Sequence, residues 1–419
     1  MVKRIFAIVF IFCCAAVAWM VLGGTILART GNASDRLRSR VQSIWGAPHS
    51  QSAPYAEYKV PVLYPETVTE NGKVSVVERT RFDTFDLRPV SSEINVDLDS
   101  EPRRKGLLWY STYKVQFRGD YVFHNPETAK QSVRLYLRFP AAQAVYDDLQ
   151  FAVNGQAVNA FTEKDLSYVP IEMAPGEDAK LRVGYRSYGL DSWKYSFGQD
   201  VNPVQGFHLR MTTNFRDIDF PDNTLAPVEK REAPGGWQLD WRYKNLVSGY
   251  EIAMTMPEKL QPGPLASQIS FFAPVSLFFF FFVMFIVTTL RNIDLHPMNY
   301  FFLASAFFAF HLLLAYLADH LEINLSFLIA SAVSIFLVVT YLRLAVGMQF
   351  AVREAAIAQF IYLVLFSYAF FFKGLTGLTI TIGAILTLFV VMQMTGRIRW
   401  SDKFAGFDAA GRRDQAIAG

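Results

Sequence analysis

Between Arg29 and Gln268 the chain has no cysteine at all. Both of its cysteines, Cys13 and Cys14, lie inside the first apolar run, so no disulfide framework is available and the 240-residue middle region must build its own core. The segment "IFCCAA" also lacks the small residues that a bacterial lipobox places before its cysteine. Charge is scarce: 18% of residues are Asp, Glu, Lys or Arg, against a usual quarter. A net charge of +3 without a basic-aromatic motif gives no footprint for nucleic acid. There is no G-x-S-x-G, H-E-x-x-H, Walker loop, C-x-x-C or glycine-rich dinucleotide turn. His49, His124 and His208 are far apart and out of ligand spacing, so no metal, cofactor or catalytic residue is assigned.

What is present is apolar. Hydrophobic residues make up 52% of the chain, with 38 Phe, and they concentrate in runs of the length that spans about 30 Å of hydrocarbon. Six spans are expected: Ile5–Ala28, Ile269–Leu290, Tyr300–Ala318, Ile323–Leu342, Ala355–Phe372 and Leu375–Met394. The first is too long for a signal-peptide core and has no A-x-A site after it, which makes it an uncleaved anchor. With a cytoplasmic N-terminus, the inside segments hold Lys3, Arg4, Arg291, Arg343, Arg353, Arg397, Arg399, Lys403, Arg412 and Arg413. The short outside loops hold only Lys373. The positive-inside rule therefore places both termini in the cytoplasm and residues 29–268 outside. The expected division is an anchor at 1–28, a helical extension at 29–46, a β-rich domain at 47–268, a five-span bundle at 269–396 and a basic tail at 397–419.

In the insert the apolar period changes to two. Tyr113, Val115 and Phe117 alternate with Lys114, Gln116 and Arg118, and the same pattern returns at 133–139, 181–186 and 237–244. "ENGK" (70–73), "VNGQ" (153–156) and "APGE" (174–177) read as turns. One apolar and one solvated face per strand predicts an antiparallel β-sandwich-like domain, in one lobe or in two split near Arg103. The whole chain is thus of mixed class: a polytopic six-span helical membrane protein with a large extracytoplasmic β domain. Trp237 and Trp241, two apart, read as core. Trp193 and Tyr195 sit in a loop-like context and are the candidate aromatic surface for stacking on cell-wall sugars.

The stretch "HPMNYFFLASAFFAFHLLLAYLADHL" (296–321) would cross a bilayer, yet it carries three of the six histidines. Asp319, His320 and Glu322 form a candidate cluster in the outer interface. His311 is the one ionisable group near mid-bilayer, a position that is functional by default. A neutral imidazole can equally bond a neighbouring helix, with Ser331, Ser334, Gln359, Thr379 and Thr381 within choice. His311, Gln359 and Ser334 are the candidate intramembrane polar site, whether structural, proton-handling or metal-binding. Ala330-x-x-x-Ser334 and Thr379-x-x-x-Gly383 offer small residues for close helix approach, and Pro274, near the start of its span, is expected to kink or open its first turn.

The segment His296–Leu342 resembles the CreD family of bacterial inner-membrane proteins, in its His-Pro opening, Tyr300, leucine run, acidic-His pair and "LIAS". "RRKGLLWYSTYKVQFRG" (103–119) is similar to a family strand, and "IWGAPHSQSAP" (44–54) to a Trp-Gly segment with Ala53 in place of Gly. The resemblance implies an inner-membrane protein supporting envelope integrity and stress tolerance, with a periplasmic sensing or binding domain and no catalytic residue to carry over. His311 stands where the family has Tyr. The partners it implies are the lipid bilayer and other envelope proteins or cell-wall material. A transporter or channel subunit is the alternative, and a wall-modifying enzyme the third reading.

Overall fold

The computed structural model describes residues 2–396 apart from 71–72, 106–107, 143, 199–201 and 373. Asn71-Gly72, Lys373 and the basic tail 397–419 lie outside the described residues. The chain forms two compact units, one of Met1–Asp35 with Leu260–Gly419 and one of Arg36–Lys259.

Among the described residues six helices are long and apolar enough to cross a membrane. They are α1 (Val2–Trp45), α2 (Pro262–Leu290), α3 (Pro297–Leu317), α4 (Ile323–Ala345), α5 (Met348–Phe371) and α6 (Thr376–Thr395). Pro262 and Pro297 occupy first-turn positions, where a missing N–H costs nothing. Because α2 starts at Pro262, Pro274 lies well inside it rather than in its first turn. The core of this unit is built from Leu277, Phe280, Leu303, Phe307, Phe310 and Ala330. Ala330 and Ser334 are buried, whereas Thr379 and Gly383 face outward on α6 and mediate no close approach among the described residues.

α5 departs from a regular helix. Ala351–Ala356 and Phe360–Leu365 are π turns, with wider i→i+5 bonding. The reason is visible in the sequence: Ala351, Ala355, Gln359, Leu363 and Ser367 are all buried, at a spacing of four. In a regular α-helix that spacing drifts by about 40° per step. Two wide turns bring the five back onto one face. Inside the second π turn the Ser276 hydroxyl of α2 donates to the Tyr362 carbonyl.

The other unit carries the predicted alternation. An eight-stranded sheet includes Tyr146–Val153, Asp178–Leu190, Thr112–His124, Ser91–Ser100, Asn202–Thr213, Gly236–Ser248 and the edge strand Glu229–Ala233, in that lateral order. A five-stranded sheet runs Phe161–Glu163, Leu166–Met173, Gln131–Arg138, Tyr55–Glu70 and Lys73–Leu87. Among the described strands pairing is antiparallel except for Ser91–Ser100 with Asn202–Thr213 and His49–Ser52 with Ser192–Ser196; an isolated parallel bridge also joins Thr224 and Glu251. Val115, Phe117, Leu181, Val183, Leu135, Leu137 and Val169 fill the core. Asn154 and Gly155, at φ 49° and 82°, make the hairpin turn expected there. Gly46 is required for a different reason. Its φ is 104°, and a Cβ on it would come within 2.0 Å of the Tyr188 carbonyl oxygen.

Candidate functional site

In the helical unit the structure joins two of the three intramembrane candidates. Gln359 Nε2 donates to Ser334 Oγ at 2.7 Å, and Ser334 Oγ donates to the Ala306 carbonyl at 2.6 Å, linking α5, α4 and α3. His311 stands apart from this chain. Its Nδ1 donates to the Phe307 carbonyl, four residues back on its own helix, at 2.9 Å. Its ring packs edge-on against Trp19 and Phe310, with centroids 5.5 and 4.9 Å away. The expected bond from His311 to a neighbouring helix is therefore corrected. Ser334 accepts from Gln359 instead, and Ser331 donates to the Phe327 carbonyl of its own helix.

Asp319, His320 and Glu322 follow one another closely in sequence but do separate jobs. Asp319 pairs with Arg29 at 2.9 Å. Glu322 caps α4, accepting from the Leu325 amide at 3.3 Å and from Asn324 at 2.6 Å. His320 is exposed. Among the described residues no group of three or more His, Cys, Asp or Glu is placed to hold a metal.

Trp193 and Tyr195 are not a surface. They are 0% and 1% exposed, because Ser192–Ser196 is the central strand between His49–Ser52 and Ile252–Thr255, and its alternate residues enter the core. Trp241 is core as expected, while Trp237 is only partly covered. The aromatic row lies elsewhere, on the face of the five-stranded sheet turned away from the core. Tyr55, Tyr136, Tyr168 and Phe161 occupy directly paired positions on four strands. Successive ring centroids are 5.1, 5.7 and 5.4 Å apart. Arg134 lies over Tyr168 at 5.7 Å, and Phe161 at the end of the row is 56% exposed. Each ring sits at a solvated position of its own strand, a signal present in the sequence. Only the register between strands, set by distant segments, assembles them.

A polar cluster that sequence spacing does not reveal gathers on the eight-stranded sheet. Asp240, 1% exposed at its side chain, accepts from His208 Nε2 at 2.9 Å, Gln238 Nε2 at 3.1 Å and Arg210 Nε at 3.3 Å. Burial pushes its carboxyl up, but those three donors outweigh it and hold the group down at about 2. His49 is the opposite case. It is fully buried among Tyr113, Tyr146 and Ser187, and burial lowers its imidazole to about 4.

No curated protein matches the chain. Among solved structures, a Legionella pneumophila protein designated a nutrient binding protein shares 11% identity, at a TM-score of 0.30, over 46% of this chain and 73% of that one. An M1 zinc metallopeptidase from Deinococcus radiodurans shares 13% at a TM-score of 0.28, over 41% of this chain and 42% of that one. At these scores neither likeness bears on fold or activity. The family comparison does bear on identity: the model described as inner membrane protein CreD matches residues 205–401, reaching from the last strands through all five C-terminal spans, and this match supports membership of the CreD family.

Proposed function

We propose that this CreD-family protein supports envelope integrity without catalysis, through a periplasmic β unit that contacts envelope material and a helical unit that anchors it. The topology behind this reading has both termini in the cytoplasm and residues 29–268 in the periplasm. It is supported by the ends of the bundle: Arg4 pairs with Asp294 at 2.9 Å, and Arg291 with Glu354, at the end that also carries Arg343 and Arg353. The β unit was read from sequence as a sensing or binding domain. The observation that carries a contact role is the row Tyr55, Tyr136, Tyr168 and Phe161 beside Arg134, a mixed aromatic and polar rim suited to sugar hydroxyls and apolar sugar faces. Anchoring is favoured over transport by the interior of the bundle, where Gln359 and Ser334 bond each other and His311 is enclosed by Trp19 and Phe310.

The test is sedimentation of the detergent-solubilised full chain with purified peptidoglycan, paired with an envelope-stress survival assay. Tyr136→Ser with Tyr168→Ser should release the protein from peptidoglycan and lower survival at equal protein level. Retention of both by the double variant would remove the aromatic row from the function. Reporters after Gly419 and near Asn154 should be active only inside and only outside, respectively; the reverse pattern would overturn the topology.

A further inference from the structure

The strands Tyr55–Glu70 and Lys73–Leu87 pair with each other along almost their whole length, but Gln131–Arg138 covers the first of them only from Tyr55 to Tyr58. From Lys59 onward they form a two-stranded ribbon about 40 Å long. Leu63, Val76 and Phe82 share one face of it and are 65%, 67% and 62% exposed. A two-stranded ribbon with its apolar side chains in water is marginal by itself. Its two edges differ. Pro61 is the register partner of Phe82, and Pro65 of Glu78. A hydrogen-bonded antiparallel pair needs an N–H from both residues and proline has none. These are therefore non-hydrogen-bonded pairs, whose backbone polar groups point away from each other. On one edge the two prolines thus remove outward donors and hinder pairing. On the other, Val76, Glu78, Thr80, Phe82, Thr84 and Asp86 turn N–H and C=O outward with no proline among them. Among the described strands Lys73–Leu87 has no second neighbour.

We propose that the free edge of Lys73–Leu87 pairs, antiparallel, with the same strand of a second copy of this chain, joining two five-stranded sheets into one. The charge pattern selects the register. With the two-fold axis at Arg81, Arg79 lies opposite Asp83 of the second copy and Val77 opposite Phe85 of the second copy, each twice because the contact is symmetric. Arg81 meets its own counterpart on the axis, where each guanidinium is held by the Asp83 of its own chain at 2.8 Å. Arg79 has Glu66 beside it and keeps donors for the added carboxylate. The neighbouring registers are repelled. An axis at Thr80 sets Arg79 against Arg81 twice, and an axis at Phe82 sets Glu78 against Asp86 twice. A lipid surface suits the ribbon less well, because hydrocarbon offers the edge no hydrogen-bond partner. From Lys59 to Thr84 there are also four cations and four anions, so no net charge draws the ribbon to anionic headgroups.

The test uses the full chain in detergent, with Cys13→Ala and Cys14→Ala as the background for single cysteines. Across the axis Arg81 forms a non-hydrogen-bonded pair with Cα atoms about 4.5 Å apart, within disulfide reach. Arg81→Cys should therefore give a cross-linked dimer on mild oxidation. Val77→Cys and Phe85→Cys should not cross-link alone, but should cross-link to each other when co-expressed. Sedimentation equilibrium of the unsubstituted chain should give the mass of two copies. Thr80→Pro removes one outward donor, as the prolines of the opposite edge do, and leaves the bonds inside the ribbon intact. It should return the mass to one copy with β-type circular dichroism unchanged, and the cysteine pattern stands whether or not that variant folds. A monomeric unsubstituted chain, cross-linking that does not peak at Arg81, or a dimer that survives Thr80→Pro in folded form would overturn the pairing.

Discussion

Gln359 and Ser334 hold each other at 2.7 Å inside the helical unit, and the same serine hydroxyl donates a hydrogen bond to the Ala306 carbonyl. Three helices thus share one short chain of polar contacts, and its middle member is the one that matters most.

Ser334→Ala removes two bonds and strands the Gln359 side chain, which is fully buried. It should cost about 1–2 kcal/mol in unfolding measurements in micelles. Gln359→Leu should cost less, because Ser334 keeps its bond to Ala306. The reverse order of the two variants would refute the chain as drawn.

His311→Leu should be nearly silent. Among the described residues the bond it removes runs within α3, and leucine fills much of the space against Trp19 and Phe310. A change below about 0.6 kcal/mol is expected. Loss of stress tolerance at unchanged stability would instead give His311 a role in proton handling.

The β unit should weaken in mild acid through His49. Its folded value, about 4, lies below the ordinary histidine value of 6.5. Its contribution is therefore present in full above about 6.5 and is lost as pH falls toward 4, on the order of 3 kcal/mol in total. Asp240, at about 2, holds its contribution across that window and loses it only at lower pH. Chemical unfolding of wild type and His49→Gln between pH 7 and 4.5 checks this, and the variant should show the flatter profile.

Gly46→Ala should cost more than about 2 kcal/mol, since it combines an unfavourable φ with a collision against the Tyr188 carbonyl. Gly155→Ala is the control. It has positive φ but open space and should cost about 1 kcal/mol.

A fragment spanning Arg36–Lys259 should give β-type circular dichroism and outlast one spanning 48–256. The shorter piece loses Leu37, Val41 and Trp45, which pack on Leu108, Tyr110 and Leu190. Equal midpoints in urea would make that cluster energetically idle.

Strands such as Gln131–Arg138 were legible in the sequence because one face is buried and one solvated, so every second residue reports its side. Trp193 and Tyr195 misled for the same reason in reverse. Their strand is five residues long and flanked by turn formers, so alternation had no length in which to declare itself. The start of α5 was missed because Arg353 and Glu354 interrupt the apolar run just before Ala355, although the helix begins at Met348. Contacts such as His208 with Asp240 depend on lateral register, which a single sequence does not record.

The two wide turns in α5 also say how that segment responds to changes in length. Each has taken up an extra residue locally, so each is a place where one residue can be deleted and the backbone can relax into a regular helix. Because the wide turn has already absorbed that residue, the helix beyond the deletion would keep its phase, and Leu363 and Ser367 would stay on the face they share with Ala351 and Ala355. A deletion in a regular stretch of a helix has no such slack and turns everything beyond it by about 100°.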